Sequence, residues 1–170
     1  MKIGSTRYFL LSLVSAATIV LDQVTKAYVT ESMRLHESVT VIPDFFSITY
    51  IRNPGAAFGL LASSSAGFRM IFFAMTSLGA LILLTMILSR LPQHDWLGQL
   101  SIAAILGGAV GNLLDRLRAG EVIDFLDFYV KGYHWPAFNV ADSAISVGVF
   151  FLLLHFAFEK KSTSPALQQE

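Results

Sequence analysis

The 170-residue sequence contains no cysteine, which excludes disulfide bonds and thiolate metal sites. Charged residues are scarce, at 14% of the chain against roughly 25% in an ordinary soluble domain. The twelve Lys and Arg are balanced by twelve Asp and Glu, so there is no basic surplus of the kind that attracts nucleic acid. The four histidines, at positions 36, 94, 134 and 155, lack metal-ligand spacing. These counts predict no nucleic-acid partner and no cysteine or histidine metal site.

Hydrophobic residues, in contrast, make up 54% of the chain, and the mean hydropathy is +0.60. Four apolar stretches are long enough to cross about 30 Å of hydrocarbon at about 1.5 Å per helical residue. They cover residues 8–28, 68–88, 96–114 and 138–158. This pattern predicts an all-α polytopic membrane protein with four transmembrane helices, forming a single membrane domain over residues 1–170.

The first stretch follows Lys2 and Arg7 and contains small residues, as a cleavable signal peptide does. It continues, however, through Asp22-Gln-Val-Thr-Lys26, which favours a retained helix. Basic residues in short segments beside the span ends set orientation, because cytoplasmic loops carry an excess of Lys and Arg. These segments place both termini, including a tail over residues 159–170, in the cytoplasm. The two longer loops then lie outside.

The first long loop has the pattern of a small outer sheet. Val39-Thr-Val-Ile42 and Phe46-Ser-Ile-Thr-Tyr-Ile51 are rich in β-branched and aromatic residues and are separated by Pro43-Asp44. They predict two short strands and a turn within an outer region at about residues 37–60. The irregular segment after them, around Pro54, and the aromatic segment around Trp135 are candidates for mobile flaps.

Two aspartates, Asp124 and Asp142, flank the start of the last apolar stretch. Carboxylates at membrane depth are costly, so they usually serve a function. Two of them, separated only by a short aromatic loop, can share one proton and activate a water molecule, which is the chemistry of an aspartic protease. We also expect no organic cofactor, since activation of water by carboxyl groups needs none. The structural alternative for Asp142 is a charge at the positive end of a helix dipole.

Other polar residues fall at the same predicted membrane face. Asn112 and Arg116 lie four residues apart on one helical face, and Asp115 beside them is available to pair with an arginine. Just before them, Gly107-Gly-Ala-Val-Gly111 is a small-residue pattern that allows close helix packing. In the last stretch, a polar stripe at helical spacing consists of Asn139, Asp142, Ser143 and Ser146.

Five motifs in order make the chain resemble the lipoprotein signal peptidases, also called type II signal peptidases. They are Asp22-Gln-Val-Thr-Lys26, Asn53-Pro-Gly-Ala-Ala-Phe58, Gly107-Gly-Ala-Val-Gly-Asn-Leu-Leu-Asp-Arg116, Val122-Ile-Asp-Phe125 and Phe138-Asn-Val-Ala-Asp142. The resemblance implies four transmembrane helices, a small periplasmic β-cradle and a short amphipathic outer helix. It also implies a bacterial inner-membrane location with the active site at the periplasmic face.

The resemblance further implies an aspartic endopeptidase that cuts diacylglyceryl-modified prolipoproteins on the N-terminal side of the lipobox cysteine, among membrane lipids. By position in the motifs, Asp124 and Asp142 are the expected catalytic dyad. Residues expected to bind substrate or the cyclic peptide inhibitor globomycin are Asn53, Gly55, Asn112, Arg116 and Asn139. Residues expected to shape the site are Asp22, Lys26 and Asp115.

Three other functions are compatible with parts of the sequence. A serine protease would use Ser143 or Ser146 with Lys26 as the base. A proton-coupled carrier would also place acids between helices, although it normally holds them near the midplane and contains repeats. A non-enzymatic lipoprotein-binding module would bind the same substrate without cutting it.

Overall fold

The computed structural model describes the chain at residues 3–55, 61 and 63–162. One pair of strands follows the first helix, and a second pair follows the third helix. The elements in chain order are α1 (Ile3–Ser32), β1 (Ser38–Ile42), β2 (Phe46–Asn53), α2 (Ala66–Arg90), α3 (Trp96–Ala119), β3 (Val122–Val130), β4 (Tyr133–His134) and α4 (Val140–Ser162).

Within the described residues, four helices are long and apolar enough to cross a membrane, judged by length and composition. They coincide with the four predicted stretches but differ at their ends. Helix α3 continues to Ala119, one turn further than predicted, and this turn carries Asp115 and Arg116. It stops where Gly120 adopts a left-handed conformation with φ of 75°, as helix C-termini commonly do. Helix α4 begins at Val140, two residues later than the predicted stretch.

The strands form one antiparallel sheet in the order β1-β2-β3-β4. Strands β1 and β2 are those predicted from the first long loop. Strand β3 occupies the segment that was interpreted as a short aromatic loop, and it pairs with β2 so that Asn53 lies opposite Val122. The description of the chain as all-α is therefore too narrow, because strands from both sides of α2 and α3 build a four-stranded sheet.

Helix α3 is the central helix, since α1, α2 and α4 all pack against it. Close approach depends on glycine: a Cβ atom at Gly108 would lie 2.5 Å from the carbonyl oxygen of Ala141 on α4. The sheet is anchored on the bundle by an apolar cluster of Val29 from α1, Tyr50 from β2 and Phe125 from β3. The end of the bundle that carries the sheet is called the sheet end below.

The expected short amphipathic outer helix has no counterpart in the described part of the chain, where all helices are those given above. The predicted outer region at about residues 37–60 lies outside the described residues at positions 56–60. Two further predicted regions lie partly outside them. These are positions 56–58 of the Asn53 to Phe58 motif and positions 163–170 of the tail.

Candidate active site

Polar residues from three helices and two strands meet at the sheet end. The structure brings together residues from all five motifs, as expected for motifs that lie at one membrane face. They are Asp22 and Lys26 of α1, Asn53 of β2, Gly55 after it, Asn112, Asp115 and Arg116 of α3, Asp124 of β3, Asn139 before α4 and Asp142 in its first turn.

Asp124 lies on β3 where the sheet meets the bundle, and it is 3% exposed. Both of its carboxylate oxygens accept hydrogen bonds: Oδ2 from Nδ2 of Asn53 at 2.9 Å, and Oδ1 from Nδ2 of Asn139 at 2.8 Å. Burial raises the pKa of Asp124 to about 6, and the charge of Asp142 adds to this rise, while the two asparagine hydrogen bonds oppose it. This carboxyl group is therefore closer to half-protonation near neutral pH than an exposed aspartate.

Asp142 lies in the first turn of α4, where a negative charge is stabilised by the helix dipole. Its Oδ1 accepts a hydrogen bond of 2.7 Å from Nδ2 of Asn112. Its backbone N–H donates to Oδ1 of Asn139 at 2.9 Å, so the asparagine side chain caps the helix. The dipole interpretation and the catalytic interpretation of Asp142 are compatible, because the carboxylate also lines a cavity shared with Asp124.

Two asparagines connect the carboxylates. Nδ2 of Asn139 donates to Asp124, and it also contacts Oδ1 of Asn112 at 3.2 Å. Asn112 in turn donates to Asp142. Asn139 is completely buried and Asn112 nearly so, which means that solvent does not compete for these bonds. The network fixes the two aspartates relative to each other although they come from different elements.

Lys26 is a buried cation behind this network, with 1% of its surface exposed. Its Nζ forms ion pairs with Oδ2 of Asp22 at 2.8 Å and with Oδ2 of Asp115 at 2.7 Å. The expectation that Asp115 pairs with an arginine is wrong, because the crossing of α1 and α3 places Lys26 closer. Gln23, which the sequence analysis did not identify, also donates to Asp115 at 2.9 Å. Because Lys26 contacts both carboxylates, none of these three buried groups is left as an isolated charge.

A cavity of about 590 Å³ opens beside the two aspartates. Of the predicted site residues, it is lined by Asn53, Asn112, Arg116, Asp124 and Asp142, and Trp135 of the predicted flap also contributes. The ion-pair cluster around Lys26 lies behind the cavity wall. In the part of the chain that the structure describes, no group of three or more His, Cys, Asp or Glu side chains is arranged to hold a metal ion.

Ser143 and Ser146 line the same cavity, but the hydrogen bonds of Ser143 and Lys26 do not favour the serine and lysine alternative. Ser143 donates its hydroxyl to the backbone carbonyl of Asn139 at 2.9 Å. Lys26 is engaged by Asp22, Asp115 and, at 2.9 Å, by Oδ1 of Asn112. The Nζ of Lys26 is thus taken up by three acceptors on α1 and α3, which is not the arrangement of a base that activates a serine.

Comparison with known proteins is consistent across sequence and structure. Residues 14–158 match the family model described as signal peptidase (SPase) II. A lipoprotein signal peptidase of Syntrophus aciditrophicus is 50% identical over 156 residues, which cover 91% of this chain and 97% of the relative. A lipoprotein signal peptidase of Desulforapulum autotrophicum is 49% identical over 150 residues, covering 88% and 93%.

A solved structure shares the fold. It is a bacterial membrane enzyme determined by the in meso method at 2.3 Å resolution, and it superposes with a TM-score of 0.81 at 35% sequence identity. The superposition covers 95% of this chain and 93% of the solved chain. The four helices and the small sheet are therefore shared with that membrane enzyme.

Proposed function

Because the chain belongs to the signal peptidase II family, we propose that it cuts its substrates with an aspartic dyad formed by Asp124 and Asp142. Family membership makes the protein a bacterial membrane protease that removes the signal peptide from prolipoproteins. The observation that supports the dyad is that both carboxylates are held by one asparagine network and line one cavity. A Ser-type nucleophile lacks comparable support.

The proposed reaction uses one carboxylate as a base and the other as an acid. The ionised group takes a proton from water while the water oxygen bonds to the scissile carbonyl carbon. The protonated group donates its proton to the carbonyl oxygen. Collapse of the tetrahedral intermediate breaks the C–N bond, and the amine leaves with a proton from the dyad. The two acids titrate as a coupled pair, so the roles belong to the pair.

The surrounding residues are proposed to hold the substrate rather than to react. Asn53, Asn112 and Arg116 line the cavity and present amide or guanidinium donors to it. Gly55 and Asn139 are not among the residues that line the cavity, and they are proposed to support substrate binding through their contacts with Arg116 and Asp124. The inhibitor globomycin is proposed to occupy the cavity. Asp22, Lys26 and Asp115 are proposed to shape the site from behind, as their buried ion pairs suggest.

The proposed cut is on the N-terminal side of the lipobox cysteine after that cysteine has received diacylglycerol. A lipid-modified substrate stays at the bilayer surface, because each buried CH₂ stabilises its insertion by about 0.8 kcal/mol. The candidate site lies at the sheet end of four apolar helices, where such a peptide would be held. Lipids are therefore proposed as partners in substrate positioning.

The proposed orientation places both termini in the cytoplasm and the sheet end at the periplasmic face of the inner membrane. The chain is proposed to form a single membrane domain. Cysteine substitution at Ser5 and at Tyr133, in this naturally cysteine-free chain, allows a direct test with a membrane-impermeant thiol reagent applied to intact spheroplasts. The position at the sheet end should be labelled and the N-terminal position protected; the reverse pattern contradicts the orientation.

The dyad is tested by the cleavage of a diacylglyceryl-modified prolipoprotein in liposomes by the wild type, Asp124→Asn and Asp142→Asn. We expect each substitution to reduce the rate by at least about 10³-fold, because the remaining carboxyl group cannot act as base and as acid in the same step. Substrate binding and unfolding temperature are measured in parallel. Ser143→Ala is the control: Ser143 lines the same cavity, but its hydroxyl donates to the backbone carbonyl of Asn139, and the variant should keep near-normal turnover.

Near-normal cleavage by either folded aspartate variant contradicts the dyad. Loss of activity in Ser143→Ala with normal folding would favour the serine alternative instead. A wild type that binds the substrate without cutting it would indicate a binding module. Proton-coupled transport in vesicles without peptide cleavage would indicate the carrier.

A further inference from the structure

Arg116 is held in the cavity wall by few polar contacts. Nη1 contacts the backbone carbonyl of Asn112 and Nη2 contacts that of Gly55, each at 3.4 Å, which is long for a hydrogen bond. Within the described residues, no carboxylate forms an ion pair with this guanidinium, whereas the nearby Lys26 forms two. These two long contacts alone do not fix the position of the guanidinium.

A further partner of Arg116 is Phe73 on α2. The Cζ atom of Arg116 lies 4.3 Å from the centre of the Phe73 ring, well inside the range of a cation–π contact. A planar guanidinium stacks well on an aromatic face, and the ring replaces water that a partly buried arginine has lost. Helix α2 has no fully buried residue and packs chiefly against α3. Phe73 is thus a point where this peripheral helix reaches the site.

We propose that Phe73 is a positioning residue for the cleavage reaction, because its ring holds the Arg116 guanidinium against the cavity shared by Asp124 and Asp142. This inference rests on the proposed function and adds to it a residue from α2. Arginine has many rotamers, and ordering it costs conformational entropy. A ring already in place lowers this cost when the substrate carbonyl binds. Charge developing on that carbonyl oxygen then meets a fixed cation.

The test compares Phe73→Leu, which removes the ring face, with Phe73→Tyr, which keeps it. We expect Phe73→Leu to lower kcat/KM for a diacylglyceryl-modified prolipoprotein about five- to thirtyfold, mainly through kcat. Phe73→Tyr should stay within about twofold of the wild type. Phe68→Leu, five residues earlier on α2 and 52% exposed, is the control for a lost ring on this helix. Unfolding temperatures of all variants are measured alongside.

A double-mutant cycle with Arg116→Gln separates positioning from general packing. If Phe73 acts through Arg116, then adding Phe73→Leu to Arg116→Gln should change kcat/KM by less than about twofold. The inference is overturned if the loss of kcat/KM in the double variant equals the product of the two single losses. It is also overturned if Phe73→Leu turns over as fast as the wild type. A Phe73→Tyr variant that loses as much kcat/KM as Phe73→Leu overturns it as well.

The same assay distinguishes this inference from the proposed function. A wild type that does not cut the prolipoprotein, or an Asp124→Asn variant that does, contradicts the proposed function and with it the role of Phe73. A wild type that cuts, an inactive Asp124→Asn and a fully active Phe73→Leu together contradict the role of Phe73 alone.

Discussion

Nζ of Lys26 donates a 2.9 Å hydrogen bond to Oδ1 of Asn112, and together with a 3.2 Å bond from Nδ2 of Asn139 it sets which end of the amide faces Asp142. An amide has one acceptor end and one donor end. With its oxygen turned to the lysine, Asn112 must present its Nδ2 to Asp142, where the distance is 2.7 Å. A buried cation on α1 thereby orients a donor to a carboxylate on α4 without touching it.

Lys26→Met should therefore impair both folding and catalysis. It leaves the carboxylates of Asp22 and Asp115 buried without their cation, which costs about 3–5 kcal/mol of unfolding free energy. It also leaves the Asn112 oxygen with the 3.2 Å bond from Asn139 but without the shorter bond from Lys26, so cleavage should fall further than stability accounts for. Unfolding in detergent and the cleavage rate of the folded fraction measure the two effects separately.

The control for this prediction is the double variant Lys26→Met, Asp115→Asn, which removes one of the two carboxylates left behind. It should recover part of the lost stability but not the cleavage rate. Equal unfolding of Lys26→Met and the wild type would show that the ion pairs contribute nothing to the fold.

Asn139→Ala should be among the most damaging substitutions of an uncharged residue. The side chain caps α4 through Oδ1, and its Nδ2 donates to Asp124 in a fully buried position. Loss of the cap costs about 1 kcal/mol, and leaving buried partners unsatisfied costs about 1–3 kcal/mol more. Denaturant unfolding should show a total loss of about 2–4 kcal/mol.

Asn139→Ser separates the two roles of this side chain. A serine hydroxyl caps a helix but cannot reach Asp124 as the amide does, so about 1 kcal/mol should return while cleavage stays low. If Asn139→Ser cleaves like the wild type, the bond to Asp124 is unimportant for the reaction.

Features encoded by local pattern could be predicted from the sequence. The four helices follow from long apolar stretches, and β1 and β2 follow from β-branched residues around a Pro-Asp turn. The meeting of five polar motifs at one end followed from the number of spans, since each motif falls at a span end of the same side. These inferences need no knowledge of how the helices cross.

Features that depend on contacts distant in sequence could not be predicted. Strand β3 is built from Val122–Val130, a run rich in β-branched and aromatic residues that did carry a strand signal. Two aspartates interrupt the run, and its partner β2 lies about 70 residues earlier, so the pairing was missed. The ion pair of Asp115 with Lys26 and the contact of Arg116 with Phe73 likewise depend on the positions of neighbouring helices.

Gly108→Ala should separate α3 from α4 and reduce cleavage. The added Cβ would lie 2.5 Å from the backbone carbonyl oxygen of Ala141, and a backbone atom can move only if the helix moves. Overpacking of this kind costs about 1–3 kcal/mol. Because Asp142 follows Ala141 directly, the shift should also displace the carboxylate from Asn112. Unfolding and cleavage assays detect the two losses.

Gly79→Ala on α2 is the matched control, since a Cβ there meets nothing within 4 Å. It should stabilise the protein by about 0.5–1 kcal/mol, because alanine is the better helix former. If both glycine variants behave alike, the close α3–α4 contact does not constrain the fold.

The raised pKa of Asp124 predicts a pH dependence of stability that is opposite in sign to that of a salt-bridged aspartate. The group titrates at about 6 in the folded protein and near its ordinary value of 3.8 when unfolded. Between these values the folded state holds a proton that the unfolded chain has released. Stability from this group is therefore present at pH 4, falls as the pH rises to about 6, and is constant above that.

The expected loss across this window is about 3 kcal/mol. Asp124→Asn cannot titrate, so the unfolding free energy of the wild type relative to this variant should fall from pH 4 to pH 7 in detergent. If the amide changes the unfolding free energy by the same amount at every pH, the slope of this difference against pH is unaffected. Asp44→Asn, on the exposed β1–β2 turn, is the control for removing a carboxylate elsewhere on the sheet. Parallel curves for the wild type and Asp124→Asn would mean that burial does not hold the proton on Asp124, and the dyad would then lack its shared proton at this residue.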